Sequence, residues 1–87
     1  MKIGQFRKSE IGYMGRIVTF QLQSDCVSVV KRSKEEVYDV LVADVIVGTA
    51  ATCNGELILE LDDPSFDAPI RGQLAVDEKE GYILISQ

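Results

Sequence analysis

Apolar residues recur at every second position of this chain, in short runs that are closely punctuated. A β-strand alternates its side chains across two faces, so such a run buries one face and wets the other. In Glu56-Leu57-Ile58-Leu59-Glu60-Leu61 the three leucines share a face, and Glu56 and Glu60 lie on the other with Ile58. In the next run Ile70, Leu74 and Val76 share a face, opposite Arg71 and Gln73. Val18, Phe20 and Leu22 alternate with Thr19 and Gln21, Val27 and Val29 flank Ser28, and Val40 and Val42 follow Tyr38. Ile83 and Ile85 alternate with Tyr82 and Leu84, which predicts a last strand covered on both faces.

The breaks between runs carry turn chemistry. Asn54-Gly55 suits a type I′ hairpin turn, whose two central residues need positive φ. It predicts a hairpin between strands over 45–53 and 56–62. Ile11-Gly12 joins a strand over 3–8 to one over 13–23, and Ser24-Asp25 makes the next turn. Ser33 with Glu36 fits a capping box. The β-branched stretch from Val37 to Val47 nevertheless predicts that strand character resumes at once, with a tight turn or bulge at Ala43-Asp44. Glu78-Lys79-Glu80-Gly81 is the last hairpin loop. Connections this short, with no helical periodicity, imply one all-β domain over 1–87. It is an antiparallel meander of seven to eight short strands, forming a curled sheet, a barrel or a sandwich that buries one face of each strand.

The residue inventory removes whole classes of chemistry. Histidine is absent, and with it His-based nucleophile activation and His metal ligation. Cys26 and Cys53 are isolated from any C-x-x-C arrangement and read as small buried hydrophobes. Asp62, Asp63 and Asp67 lack the alternate spacing and distal bidentate carboxylate of a calcium loop. Asp62 and Asp63, if extended, point to opposite faces and form no catalytic pair. Gly48 and Gly55 stand in strand and hairpin contexts, not in a phosphate loop. The expectation is a non-catalytic protein with no cofactor and no metal. No apolar run approaches the ~18 residues of a membrane-spanning helix, and the start has no apolar core of a signal peptide, so the expected location is cytoplasmic.

Charge is unevenly spread. Residues 1–34 carry seven Lys/Arg against two acids, whereas 35–87 carry twelve acids against Arg71 and Lys79. Cross-strand ion pairs between the halves are one reading; a two-signed surface is the other. On the second reading Lys2, Arg7, Lys8, Arg16, Lys31, Arg32 and Lys34 line a face for nucleic acid, with Phe6, Tyr13 or Tyr38 as stacking platforms.

The segment Leu61-Asp62-Asp63-Pro64-Ser65-Phe66-Asp67-Ala68-Pro69-Ile70 holds both prolines. Pro64 ends the strand before it, and Pro64-Ser65 fits the centre of a type I turn with Asp63 accepting a backbone N–H. Phe66 supplies an apolar anchor that folds back over the open end of the core. Pro69 belongs at an edge or at a strand start. The corner also offers a recognition loop, with Asp62, Asp63 and Asp67 presented beside Phe66.

That segment carries a family resemblance, together with Gly4-Gln5-Phe6, the hairpin from Gly12 to Gly15, Thr19 with Leu22, Tyr38-x-Val40, Gly48-x-Ala50 and Tyr82-x-Leu84-Ile85. In this order they resemble the small bacterial proteins catalogued as domain of unknown function 736, over nearly the whole chain. The resemblance implies a setting near conjugative-transfer genes on plasmids and integrated elements, and it implies no activity, cofactor or catalytic residue. The chain departs from that family where an aromatic is usual near Ala51 or Thr52 and near Ser86, where Pro-Asp is usual at Glu36-Val37, and where Arg is usual at Asp39.

The expected function is a protein-interaction or accessory module of a mobile element, binding through exposed strand edges and the corner of Asp62, Asp63, Phe66 and Asp67. A homodimer formed along a free edge fits the same reading. The alternative is a small barrel that binds single-stranded nucleic acid through Arg7, Lys8, Arg16, Lys31, Arg32 and Lys34.

Overall fold

A computed structural model describes residues 1–32, 36–79 and 81–87, and every regular element in it is a β-strand. The strands are β1 (Lys2–Ser9), β2 (Gly12–Val18), β3 (Gln23–Lys31), β4 (Val37–Val42), β5 (Val45–Cys53), β6 (Glu56–Leu61), β7 (Ile70–Asp77) and β8 (Gly81–Ser86). Each pairs antiparallel with the next, and β8 pairs back onto β1. The sheet is therefore a closed eight-stranded barrel.

Closure follows from the alternation. Every strand has one apolar face, and curling the sheet onto itself buries all of them together. Phe6, Ile17, Val27, Val29, Val40, Leu59, Leu61 and Leu84 are almost wholly buried inside. Eight strands enclose a space just wide enough for such side chains to fill, so the interior is a packed core. Any binding surface must then lie on the outer wall or at the two mouths. Closure also removes both sheet edges. The expectation of strand addition or dimerisation along a free edge is corrected on that ground, because all eight strands spend their ladder bonds on neighbours.

The hairpin at Asn54-Gly55 forms as expected, with φ of 54° and 82°. Ala43-Asp44 is a second tight turn of the same hand, with φ of 50° and 67°. Alanine gains nothing in the left-handed region and is strained there by its Cβ. Replacing Ala43 with Asn, the favoured residue at this place in a type I′ turn, therefore stabilises the fold by about 0.5–1 kcal/mol. A thermal melt shows this as a rise of several degrees, and an unchanged or lower midpoint contradicts it.

Further expectations are corrected. The second strand ends at Val18, not at 23, and the turn falls at 19–22. The cause is Thr19, whose hydroxyl accepts the N–H groups of Gln21 and Leu22 at 3.2 and 3.0 Å while its own N–H donates to the Leu22 carbonyl at 2.7 Å. Phe20 is thrown outward at the tip and is fully exposed. Ser24-Asp25 is not a turn but lies at an irregularity in the β2–β3 ladder, where Gly15 faces Val27 and Ile17 faces Ser24. Cys26 and Cys53 are both exposed, not buried: Cys26 sits in that irregular stretch and Cys53 at the end of its strand. The last strand is covered by packing on one face only. Tyr82 and Leu84 point inward, while Ile83 and Ile85 stay half-buried on the outer wall between Gln5, Ala75 and Gln73. The capping box of Ser33 lies outside the described residues, and so does Lys34. Among the described residues no helix is long and apolar enough to cross a membrane.

Candidate functional site

In a barrel whose strands follow sequence order, a stretch of sequence becomes a sector of the wall. The basic first third of the chain is β1–β3, and the acidic remainder is β4–β8. The sequence asymmetry is thereby a spatial one. Arg7, Lys8, Arg16 and Lys31 have no carboxylate within ion-pair distance among the described residues. Arg32 bonds Asp39 across β3 and β4, with N···O distances of 3.1 and 2.8 Å, and Arg71 meets Glu60 at 3.2 Å within the acidic sector. Among the described residues, cross-strand ion pairs therefore leave these four cations of β1–β3 uncompensated.

The basic sector has two recesses. The first lies on the outer wall over β1–β3, a groove of about 360 Å³ rimmed by Gln5, Arg7, Met14, Arg16, Asp25 and Cys26. Arg16 faces Gln5 in the register, and Arg7 faces Met14. Asp25 holds the Cys26 thiol above its ordinary pKa, through a hydrogen bond and its charge, so this thiol is unactivated. The second recess is at the mouth formed by the β1–β2 and β3–β4 ends, a hollow of about 400 Å³ lined by Lys8, Ser9, Glu10, Tyr13, Lys31, Arg32 and Tyr38 with the Ile11-Gly12 turn. Arg7 and Lys8 are consecutive on β1 and point to opposite faces, so Arg7 serves the outer groove and Lys8 the mouth.

Register builds the mouth. Lys8 faces Tyr13 across β1 and β2, and Lys31 faces Tyr38 across β3 and β4. All four continue the inward face beyond the last full layer of core, so their polar ends reach the opening. Tyr13 packs edge-on to Tyr82 with centroids 5.1 Å apart, and against Tyr38 at 6.2 Å. The chain's three tyrosines therefore form one cluster at this end. The Lys8 ammonium sits 5.8 Å from the Tyr13 ring centre, within cation–π range. Partial burial, and then the neighbouring phenols of Tyr38 and Tyr82, push the Tyr13 pKa upward. Tyr13 stays a neutral hydroxyl donor near pH 7.

The corner between β6 and β7 is at the other mouth. Asp63 caps the turn: its carboxylate accepts the Ser65 hydroxyl and the Ser65 N–H, and its carbonyl accepts the Phe66 N–H at 2.9 Å. These bonds hold Asp63 below the usual carboxylate range. Phe66 is partly buried against the core, and Pro69 immediately precedes β7. Gln21 clamps the corner by accepting the Asp67 N–H and donating to the Ala68 carbonyl at 3.1 Å. Of the four residues expected to make an interaction surface, Asp62 and Asp67 are exposed, while Asp63 and Phe66 serve the turn and the core.

Of the residues expected to bind nucleic acid, Arg7, Lys8, Arg16, Lys31 and Arg32 fall in the basic sector. Phe6 is 1% exposed and cannot stack on a base. Tyr82 and Phe20 were not singled out by the sequence. Tyr82 shares the inner face of Leu84, but only closure of β8 onto β1 brings it to Tyr13. Phe20 looked like an alternating core residue. Among the described residues no group of three Cys, Asp or Glu side chains is placed to hold a metal ion.

A family model described as "Protein of unknown function (DUF736)" matches residues 2–87. No curated protein and no solved structure matches the chain.

Proposed function

We infer that this chain, which belongs to the DUF736 family of proteins of unknown function, is a non-catalytic barrel that binds single-stranded nucleic acid on its β1–β3 sector. The observation that carries this reading is the meeting of aromatic rings with cations that have no carboxylate partner among the described residues: Lys8 and Lys31 stand beside Tyr13 and Tyr38 at the mouth, with Arg7 and Arg16 on the adjoining wall. Single strands are held by a basic groove that tracks the phosphates and by rings that stack on bases, a combination that tolerates any sequence. The acidic sector on β4–β8 turns the strand to one side of the barrel by repulsion. A cytoplasmic accessory role on a plasmid or conjugative element is part of the same proposal.

Binding through these four cations has a quantitative signature. Each neutralised phosphate of a single strand releases about 0.7 of a counterion, so the logarithm of affinity falls against that of salt with a slope of about −3. A fluorescence anisotropy titration with a labelled single-stranded oligonucleotide measures it. Removing two charges with Arg7→Gln and Arg16→Gln brings the slope to about half that value. No binding at ~50 mM salt refutes the reading.

A second reading, a protein-interaction module, draws on the opposite mouth. The clamp from Gln21 to Asp67 and Ala68 holds the turn that carries the exposed Phe20 against the acidic corner. An exposed aromatic side chain is a frequent anchor of a protein interface. Its partner would carry basic residues around an apolar pocket.

A further inference from the structure

We propose that the hollow at the tyrosine mouth is a phosphate-binding site, with Lys8 and Lys31 supplying the charge and Ser9, Tyr13 and Tyr38 the hydroxyl donors. This rests on the nucleic-acid reading in one respect: the phosphate seated there belongs to the backbone of the bound strand.

Three observations point to an anion. Lys8 and Lys31 both enter the hollow from inward-facing register positions, and neither has a carboxylate partner among the described residues. Both ammonium groups therefore belong to one hollow, an arrangement that an anion bound there relieves. The rings of Tyr13 and Tyr38, which both line the hollow, stand against one another with centroids 6.2 Å apart. Tyr13 resists ionisation because of its partial burial and its phenol neighbours, so it donates to an oxyanion without adding negative charge. The third observation is Ser9. Its hydroxyl is buried and lacks a hydrogen-bond partner among the described residues. A buried hydroxyl left unmet is costly, and most such groups in folded proteins are satisfied. Ser9 lines this same hollow. Glu10 on the rim opposes an anion. With Lys8, Lys31 and Arg32 around it, the hollow still has an excess of positive charge, although Arg32 is engaged by Asp39.

Phosphate oxygens match this donor set. Ammonium–phosphate bonds are charge-assisted, and hydroxyl donors complete the remaining acceptor sites. The outer groove, by contrast, offers two guanidinium groups and an acid without hydroxyl donors, so it tracks the strand without enclosing a single phosphate.

The test is an NMR titration of the intact chain with inorganic phosphate, with sodium chloride at matched ionic strength as the control, followed by a 5′-hydroxyl single-stranded oligonucleotide. Phosphate is expected to move the resonances of Ser9, Tyr13, Lys31 and Tyr38, and chloride is not. Lys8→Met and Lys31→Met are each expected to weaken phosphate binding about tenfold, as loss of one charge-assisted bond does. Ser9→Ala separates a ligand group from a structural one. It removes an unmet hydroxyl, so its melting temperature is expected to hold or rise while phosphate binding weakens severalfold. Lowered stability with unchanged phosphate binding would give Ser9 a purely structural role and overturn its part in the site. If the oligonucleotide binds with the expected salt slope while phosphate leaves the mouth unmoved, the site is wrong and the nucleic-acid reading stands. If phosphate moves the mouth and no oligonucleotide binds, the nucleic-acid reading fails, and the site stands as one for a small phosphate ester.

Discussion

Phe6→Ala lowers the stability of the barrel by about 3–5 kcal/mol, the range for removing a buried phenylalanine from a packed core. Phe6 is 1% exposed and is among the largest of the fully buried side chains. It faces Gly15 across β1–β2 and Tyr82 across β1–β8, so it fills the seam where the barrel closes. The glycine opposite has no side chain to collapse into the vacated space, which places the loss at the upper end. Natural domains hold only about 5–15 kcal/mol in reserve, and one of this size holds the lower part of that range. Urea denaturation followed by circular dichroism gives the value. Phe66→Ala, at a half-buried ring, costs about 1–2 kcal/mol. Phe20→Ala, at a fully exposed ring, changes stability by less than about 0.5 kcal/mol. A Phe6 loss no larger than the Phe66 loss contradicts the closure described here.

Gly15→Val prevents folding. A Cβ at Gly15 would lie 2.0 Å from the carbonyl oxygen of Gln5 and 2.7 Å from the Cα of Phe6. Both are backbone atoms of the paired strand, so no side chain can move aside. Relief requires β1 and β2 to part at the centre of their ladder, and the cost exceeds the ~1–3 kcal/mol of ordinary overpacking. Gly55 gives the contrast. A Cβ there meets nothing within 4 Å, and only its φ of 82° resists a side chain. Gly55→Ala therefore costs about 1–2 kcal/mol and leaves a folded protein. Circular dichroism and solubility of the two variants distinguish collision from torsional strain. A folded, cooperatively melting Gly15→Val protein refutes the packing assigned to that position.

Most of the architecture could be read from the sequence because period two, glycine and asparagine act locally. The hairpins at Asn54-Gly55 and Ala43-Asp44, and the corner at Asp63-Pro64-Ser65, depend on a few adjacent residues. Closure does not. Whether β8 meets β1 is decided by the summed twist and curl of all eight strands, and alternation alone fits a sandwich as well as a barrel. The same limit governed the site. Lys8, Lys31, Tyr13 and Tyr38 stood out by type, but their meeting at one mouth depends on register across three ladders. Phe20 misled because alternation continues by chance through Thr19-Phe20-Gln21-Leu22, where a threonine hydroxyl bonded to nearby N–H groups outweighs the strand pattern. The cysteines misled because composition cannot tell a core position from a ladder irregularity or a strand end.

The most direct test of the nucleic-acid reading is to map the contact surface by backbone amide NMR, with a single-stranded oligonucleotide added at ~50 mM salt. The expected perturbations lie on β1–β3, at Arg7, Lys8, Tyr13, Arg16 and Lys31, and extend to Tyr38 at the mouth, with β6 and β7 unmoved. Perturbations centred on Phe20, Asp62 and Asp67, or none at all, would contradict it.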